Sequence, residues 1–505
     1  MSNNFLNEIK HIIILMMENR SFDHMLGFLY TDQGNKSPSG QAFEGLTGNE
    51  FNYDTKGNKV NVFKITPDRH QWYTMPGADP GEGYFHTNMQ LFNTEFPPHP
   101  TADSPVIANN GGFVKDFAVA MLEYSLDGYP SIPGTVEGNI MGMFAPEALP
   151  VMSSLARQYV VFDRWFSSVP SQTFPNRNFA CAATSNGCLE NTHALLHAPS
   201  IFGLLSKHNI SWSIYGYDSN YPFARVMYPD TINASPNHFG VFEDFQQAVN
   251  NGTLASYVWL EPDLGFGTAS NSQHPGTLDV SRGEKLMYDV YYTLRNSPIW
   301  NDTLLIITYD EHGGCYDHVS PPDNATPPDQ YVGDKAEYSF GFNRFGVRVP
   351  TIAISPRIQP GTVCRAKGNI PFDHTSILKT IQKRWNLPSL TKHDADAEDI
   401  GDILSLEIPR TDDALSNVNV PIIEQDKSCN LPYDLQSALA KSLHSELTSN
   451  QGLNLGDYSK LGLKTKTDYK AHRNRTCEKR KVYLISIIPI GFSEEGIFLY
   501  SPSLI

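Results

Sequence analysis

One segment near the start of the chain limits the folds that the sequence can adopt. Residues 11–24 read HIIILMMENRSFDH, in which six consecutive apolar residues run without alternation into the polar pair Glu18 and Asn19. Such an unbroken run is typical of a central strand in a parallel sheet that is covered by helices. Ligands of open α/β sheets bind beyond the carboxyl ends of the strands, so a functional group is expected at this pair. Capping of the next helix by the same two residues is an equal alternative from this segment alone.

Strand-like and helical segments alternate through most of the remaining chain. Residues 256–262 (SYVWLEP) and 303–309 (TLLIITY) are predicted strands, whereas residues 281–296 carry apolar side chains at helical spacing. Repetition of strand, loop and helix predicts an α/β fold. Its doubly wound, mainly parallel central sheet is expected to carry helices on both faces.

The sequence divides into one long region and a shorter terminal one. Residues 1–425 are predicted to form a single large domain, in which the Gly-, Asn- and Asp-rich residues 31–75 form a loop insertion or lid with one hairpin. Residues 426–505 are predicted to form a helical segment and a tail, because leucines recur there every four residues. An apolar run near the end, VYLISIIPIGF, is broken by Pro489 and is too short to span a bilayer. A packed strand is expected there, with a membrane-touching or partner-binding tail as the alternative.

Charge and cysteine content exclude several classes of function. The 54 acidic and 38 basic residues give a formal charge of -16, which disfavours nucleic acid and anionic membrane surfaces as partners but allows a zwitterionic or small phosphorylated substrate. The six cysteines are scattered without a CxxC pair, which indicates reduced thiols. The first residues, MSNNFLNEIK, lack the features of a cleaved secretory signal. Residence in the cytoplasm, or export by a signal-independent route, is therefore expected.

Oxygen donors follow two of the predicted strands. Glu18 and Asn19 end the first strand, and Asp310 and Glu311 follow a later apolar one. Two such pairs, together with Thr173 in a proline-flanked loop, predict a site for a divalent cation. A cation there would polarise a phosphoryl oxygen and activate the Thr173 hydroxyl as a nucleophile.

Two loop histidines are candidates for the remaining chemistry. His86 lies in GYFHTN and His274 lies in SQHPGT. Either imidazole could bind the other phosphate oxygens or protonate the leaving group. A structural role for each is the alternative, because a lone histidine is more often structural than catalytic.

Four ordered segments carry a resemblance to a known family: ENRSFDH (18–24), TFPNR (173–177), DEHGGCYDHVSPP (310–322) and GVRVPTIAISP (346–356). From about residue 8 to about residue 400 the chain resembles the phosphoesterase family that joins phosphatidylcholine-hydrolysing (non-specific) phospholipases C with acid phosphatase A type enzymes. The resemblance implies an alkaline-phosphatase-like α/β fold and makes residues 1–425 the catalytic domain.

The same resemblance implies the roles of individual residues. A metal ion is expected to be held by Glu18, Asn19, Thr173, Asp310 and Glu311. Thr173 is expected to be the nucleophile that becomes transiently phosphorylated. His274 is expected to bind phosphate or to act as an acid or base.

One position departs from the family pattern. Many relatives have a histidine directly after a DPG-like turn, whereas this chain reads DPGEGYFH, with Glu82 at that point and a histidine four residues later. The catalytic role of that histidine is carried over to His86. Aromatic residues near it could stack on a quaternary ammonium head group or could be core; they are Trp72, Tyr73, Tyr84 and Phe85.

Several further polar residues are expected near the substrate. His312 and His318 lie within the third motif and could reach the same site, and Asn19 is also expected to touch substrate. Asp317, in the same motif, is expected either to support the metal ligands or to hold the structure of the loop. Arg177 is expected either to orient the nucleophile loop or to meet phosphate.

The predicted function is that of a metal-dependent phosphoesterase. A phospholipase C that cleaves phosphatidylcholine-like lipids through a phosphothreonine is expected first, and this allows transient contact with a membrane surface. A broad acid phosphatase acting on soluble monoesters and an inactive lipid- or partner-binding protein are the alternatives. The resemblance favours zinc, but the all-oxygen ligand set suits calcium, magnesium or manganese equally well.

Overall fold

The structure is a computed structural model that describes residues 4–97, 107–126, 131–191, 195–218, 222–264, 270–276 and 278–421. The predicted C-terminal segment, residues 426–505, lies outside the described residues, and the predicted domain division stays a prediction. Within the described part of the chain, no helix has both the length and the apolar character needed to cross a membrane.

The central feature is an eight-stranded sheet with the strand order β13-β6-β12-β11-β1-β10-β8-β9. Strand β1 lies between β10 and β11 and pairs with both in parallel. Strand β12 is antiparallel to its neighbours β11 and β6, and the remaining pairs are parallel. The prediction of a mainly parallel sheet is therefore confirmed. The strands are β1 (His11–Met17), β2 (Phe51–Tyr53), β3 (Lys59–Asn61), β4 (Phe63–Ile65), β5 (Gly142–Phe144), β6 (Val160–Phe162), β7 (Trp165–Phe166), β8 (Trp212–Gly216), β9 (Phe239–Val241), β10 (Tyr257–Glu261), β11 (Thr303–Tyr309), β12 (Thr351–Ile354), β13 (Thr362–Val363) and β14 (Phe372–Asp373).

The helices pack on the sheet in two groups. Helix α10 contacts both α4 and α9, and helix α5 contacts both α6 and α11. Because every residue from Ile12 to Met17 is buried, both faces of β1 are covered. The helices are α1 (Phe22–Leu26), α2 (Tyr84–Phe92), α3 (Phe113–Leu126), α4 (Pro150–Gln158), α5 (Thr173–Ala182), α6 (Ile201–Lys207), α7 (Phe223–Val226), α8 (Pro229–Ile232), α9 (Phe242–Asn250), α10 (Val280–Arg295), α11 (Thr375–Trp385) and α12 (Lys392–Asp396).

Burial of strand β1 explains why its sequence lacks alternation. Both of its faces contact apolar side chains, so each residue has the same preference for a large hydrocarbon group. Complete burial of one such side chain contributes about 1.5 to 3 kcal/mol. This favours β1 in the centre of the sheet, and its carboxyl end then adjoins that of β11, where Met17 pairs with Tyr309.

The segment at residues 31–75 contains the predicted hairpin. Strands β2 and β3 pair in antiparallel fashion, and β4 pairs in parallel with β5. A role of this segment as a lid stays a prediction.

Candidate active site

The turn after β1 places Asn19 at the centre of the candidate site, which we define as Glu18, Asn19, Thr173, Asp310 and Glu311. Asn19 has a φ of 57°, in the left-handed region that asparagine tolerates better than most residues. Its backbone N–H donates to Asp310 Oδ1 over 3.0 Å, which joins the ends of β1 and β11. Helix α1 is capped instead by Ser21, whose hydroxyl accepts from His24 N. The capping alternative for Glu18 and Asn19 is therefore wrong.

Thr173 is the first residue of helix α5 and is fully buried. Its hydroxyl donates to Asn19 Oδ1 over 3.4 Å. A helix N-terminus presents free N–H groups and the positive end of the helix dipole, which favour an anion. The predicted nucleophile thus lies where a phosphoryl group would be stabilised.

Arg177 lies one turn further along α5 and ties that helix to the sheet. Its Nε donates to Asp310 Oδ2 over 3.0 Å, and a terminal nitrogen donates to Met17 O over 3.3 Å. The guanidinium is buried and also lies 4.0 Å from Glu261. These contacts match the first of the two predicted roles, orientation of the nucleophile helix.

The carboxylates of the candidate site are buried and incompletely paired. Glu18 Oε1 and Glu311 Oε1 have no hydrogen-bond partner among the described residues. Burial raises the pKa of Glu18 to about 7, with the Asp310 carboxylate adding to the rise against His274 and Arg177. Burial, Glu82 and Asp310 likewise hold the pKa of Glu311 well above its usual range. These groups therefore carry an electrostatic cost that a bound cation would remove.

The donor atoms of the candidate site fit a divalent cation. Carboxylate, amide and hydroxyl oxygens are the ligands of hard cations, and two of the carboxylate oxygens are free to accept one. The ligand atoms of Glu18, Asp310 and Glu311 do not all lie within 4.8 Å of one another. This spacing is expected for carboxylates that repel one another.

His274 and Glu82 meet at the amide of Asn19. Asn19 Nδ2 donates to Glu82 Oε2 and lies 2.9 Å from His274 Nε2. His274 Nδ1 donates to Pro275 O over 2.9 Å. Burial lowers the pKa of His274, but Asp79, Glu18 and Glu82 together raise it to about 9. The structure therefore brings His274 to the candidate site, as the sequence predicts.

His86 lies on helix α2, and its hydrogen-bond and ion-pair partners are not residues of the candidate site. Its Nδ1 donates to Asp116 Oδ1 over 2.8 Å, and its Nε2 lies 3.3 Å from Glu123 Oε2. These two carboxylates raise the pKa of His86 to about 9 although burial lowers it. The residue that takes the position beside Asn19 is Glu82, whose pKa burial raises to about 8.

The four aromatic residues near His86 divide into two places. Trp72 and Tyr73 pack with the main core, where the Trp72 ring meets Phe144. Tyr84 and Phe85 contact the ring of Tyr338 instead.

His312 and His318 point in different directions from the loop after β11. His312 is buried, and its Nδ1 lies 3.2 Å from Glu311 Oε2. Burial lowers the pKa of His312 to about 3. His318 instead pairs with Asp23 over 2.6 Å and borders an open cavity of about 600 Å³. That cavity is lined by none of the candidate-site residues.

A second buried cluster, here called the support cluster, consists of Asp23, Asp317, His318 and Arg348. Among the described residues its two acids and histidine are the one group whose potential ligand atoms lie within 4.8 Å of one another. Arg348 donates to Asp23 Oδ1 over 2.8 Å and to Asp317 Oδ1 over 2.9 Å. The guanidinium already supplies the positive charge, so the support cluster is not a candidate cation site. Asp317 acts in this cluster and not on the predicted metal ligands.

Some polar residues beside the site are missing from the sequence-based prediction. Glu82 was recognisable only as a departure from the DPG-histidine pattern. Gln90 and Asp116 carry no motif, and neither does His374, whose Nε2 donates to Asp310 O over 2.6 Å. Their positions depend on contacts between distant loops, which local sequence does not reveal.

Comparisons with known proteins agree on one family. The model described as the phosphoesterase family matches residues 9–388. Non-specific phospholipase C6 of Arabidopsis thaliana is 37% identical over 81% of this chain and 75% of its own length. Phospholipase C A of Mycobacterium tuberculosis is 27% identical over 76% of this chain and 74% of its own length.

Solved structures give a weaker likeness. A member of the alkaline phosphatase superfamily from Vibrio parahaemolyticus shares 10% identity, with a TM-score of 0.30, over 50% of this chain and 63% of that chain. A phosphonate monoester hydrolase of Agrobacterium radiobacter gives a TM-score of 0.29 at 12% identity, over 51% of this chain and 72% of that chain. Likeness at this level adds nothing to the assignment of function.

Proposed function

Because the chain belongs to the phosphoesterase family and is a phosphoric ester hydrolase, we propose that it is a metal-dependent phospholipase C acting on phosphatidylcholine-like lipids. The observation that carries the proposal is the meeting of Thr173, Asn19 and incompletely paired carboxylates at the ends of β1 and β11. The substrate class is supported by the relatives named phospholipase C.

The ligands of the cation would be the five residues of the candidate site. A bound divalent cation would supply positive charge to the phosphoryl oxygens and favour the ionised Thr173 hydroxyl. Zinc is favoured by resemblance, whereas the oxygen donors suit calcium, magnesium and manganese equally well. Chelation followed by addition of each ion to the assay identifies the physiological one.

The first chemical step is attack on phosphorus by the ionised Thr173 Oγ1, whose proton has passed to solvent. The Oγ1–P bond forms as the bond between phosphorus and the diacylglycerol oxygen breaks, and the alcohol leaves with a proton. His274 is the proposed proton donor, since it contacts the amide of Asn19 that faces Thr173. The N-terminus of α5 stabilises the charge on the phosphoryl oxygens.

The second step releases the phosphorylated head group. Water attacks the phosphothreonine, the Oγ1–P bond breaks, and His274 accepts a proton from the water. Arg177 keeps α5 against Asp310 throughout, so that Thr173 stays aligned with the end of β11. Under this scheme His86 acts at a distance.

The experiment replaces Thr173 by alanine and measures release of p-nitrophenol from p-nitrophenyl phosphorylcholine. We expect activity to fall by more than about a thousandfold, because the covalent route is lost. Thr380→Ala is the matched control, since Thr380 is also buried in a helix but donates only to Ser376 O. That variant should keep its activity.

The alternatives have distinct outcomes in the same assay. Strong turnover of p-nitrophenyl phosphate without cleavage of the diester would replace the lipase proposal by an acid phosphatase. Undiminished product release by Thr173→Ala would exclude the phosphothreonine route. An inactive binding protein would give no turnover in the parent with any of the ions.

A further inference from the structure

The side-chain amide of Gln90 joins three separate parts of the molecule. Gln90 lies in helix α2 and is completely buried. Its Nε2 donates to Gly81 O over 2.6 Å and to Asp116 Oδ2 over 2.7 Å. Its Oε1 accepts from His312 Nε2 over 2.7 Å. Both amide hydrogens and the amide oxygen are therefore engaged.

Two of these partners adjoin the candidate site. Gly81 directly precedes Glu82, which contacts Asn19. His312 directly follows Glu311, and its Nδ1 lies 3.2 Å from Glu311 Oε2. One amide therefore fixes the loop on each side of the site.

The two loops also lie in close contact. A Cβ atom on Gly314 would lie 2.4 Å from Gly81 O, and Gly314 has a φ of 64°. Only glycine permits both the backbone conformation and this approach. Because the loops touch, a shift of one loop displaces the other.

Asp116 and Gly81 O together determine which way the amide points. Both offer only acceptors to the hydrogen bond, so the Gln90 nitrogen must face them and its oxygen must face His312. His312 then donates through Nε2, which leaves Nδ1 as the nitrogen that faces Glu311. Asp116 is itself held by His86 over 2.8 Å.

We propose that Gln90 is a positioning residue, which holds the Glu82 and Glu311 loops in the arrangement that binds the catalytic cation, and that Asp116 and His86 orient its amide. This inference rests on the proposed function for the cation site and for the identity of the reaction. It gives His86 a defined task that requires no contact with substrate. Substitution of a residue that orients metal ligands typically lowers the metal affinity or the activity by 10- to 100-fold.

The first test measures cation binding by itself. Calorimetric titration of the full chain with Mn²⁺ and with Zn²⁺ compares the parent with Gln90→Met, which keeps the volume but removes all three hydrogen bonds. We expect affinity for the bound ion to fall by about 10- to 100-fold. Gln382→Met is the matched control, because Gln382 is also buried and donates to a buried aspartate, Asp394, away from the site. Its affinity for the ion should stay unchanged.

The second test compares two substitutions of Asp116. Asp116→Asn keeps an acceptor for the Gln90 amide and should retain most of the affinity, whereas Asp116→Leu removes the acceptor and should resemble Gln90→Met. Equal losses in both variants would overturn the orientation argument. Unchanged ion affinity in Gln90→Met, with the protein folded, would overturn the whole proposal.

Turnover of p-nitrophenyl phosphorylcholine separates this proposal from the proposed function. Relative to the parent, Gln90→Met should lower kcat by about 10- to 100-fold and change KM little. If Thr173→Ala keeps its activity while Gln90→Met loses ion affinity, the proposed chemistry fails and the positioning role stands. If Thr173→Ala is inactive while Gln90→Met matches the parent in both measurements, the positioning role fails alone.

Discussion

The candidate site and the support cluster are two solutions to the same structural task. Both join the loop after β1 to the loop after β11, and both bury several carboxylates. In the support cluster every carboxylate oxygen accepts a hydrogen bond, with Arg348 and His318 among the donors. In the candidate site, one oxygen of Glu18 and one oxygen of Glu311 have no hydrogen-bond donor among the described residues.

This difference separates stability from function. A fully paired buried charge network holds its shape and has no free valence for a ligand. An unpaired buried carboxylate costs stability, and in the candidate site Glu18 and Glu311 each keep one oxygen that could accept a ligand. Proximity of acids alone would select the support cluster, which is the more compact of the two.

The largest effect should come from removing the positively charged side chain of the support cluster, the guanidinium of Arg348. Arg348→Met leaves the carboxylates of Asp23 and Asp317 without their guanidinium, so the free energy of unfolding should fall by about 3 to 5 kcal/mol. Urea denaturation measures the change. Arg357→Met is the control, because Arg357 is buried but donates to backbone carbonyls, and its loss should be smaller. Equal losses would contradict the comparison.

Removal of a charge from the candidate site should raise the free energy of unfolding instead of lowering it. At pH 8 and without divalent cations, Glu18→Gln should raise the free energy of unfolding by about 1 to 3 kcal/mol, because it removes a buried carboxylate with a raised pKa. It should also abolish most of the stabilisation by added Mn²⁺. Asp23→Asn should lower the stability instead, because His318 and Arg348 hold the pKa of Asp23 below its usual range although burial raises it. A loss of stability in both variants would show that the two clusters do not differ in kind.

A smaller effect concerns pH. The pKa values of Glu18 and Glu82 are raised to about 7 and 8, so between pH 5 and pH 8 the folded protein binds more protons than the unfolded chain. The stability of the cation-free protein should therefore fall as pH rises through this window, with at most about 1.4 kcal/mol per pH unit for each proton. His274, with a pKa of about 9, contributes in the same direction above about pH 6.5.

Thermal unfolding at several pH values, with and without Mn²⁺, measures this dependence. The ion should stabilise the protein more at pH 8 than at pH 5.5, because binding displaces protons. The slope should be shallower in Glu18→Gln than in the parent. An equal slope in both proteins would mean that this carboxyl group does not titrate in the window.

Much of the central sheet could be predicted from the sequence. Strands β1, β10 and β11 and helix α10 follow from apolar runs and helical spacing, because burial on both faces leaves a local signature. The meeting of Glu18 and Asn19 with Asp310 follows from the parallel pairing of β1 with β11. Thr173 was predicted from its proline-flanked loop and from the family resemblance, and not from periodicity.

The parts that could not be predicted depend on the packing of loops. His86 lies four residues after Glu82, and only the turn into α2 decides which of them faces Asn19. His318 lies one residue after Asp317 in a recognised motif, yet its partner is Asp23 on another loop. Nothing in the local sequence distinguishes the hydrogen bonds of Gln90 from those of any buried glutamine.

The parallel pairing of β1 with β11 has a consequence for how the protein is made. Asn19 and Asp310 are 291 residues apart, so the site is assembled by one of the longest closures in the chain. High contact order slows folding, because chain entropy is lost before the distant contacts form. During synthesis the most apolar strand must wait, with both edges unpaired, until β10 and β11 have been made. We therefore expect the nascent chain to be prone to aggregation and its β1 segment to be a natural target for chaperones.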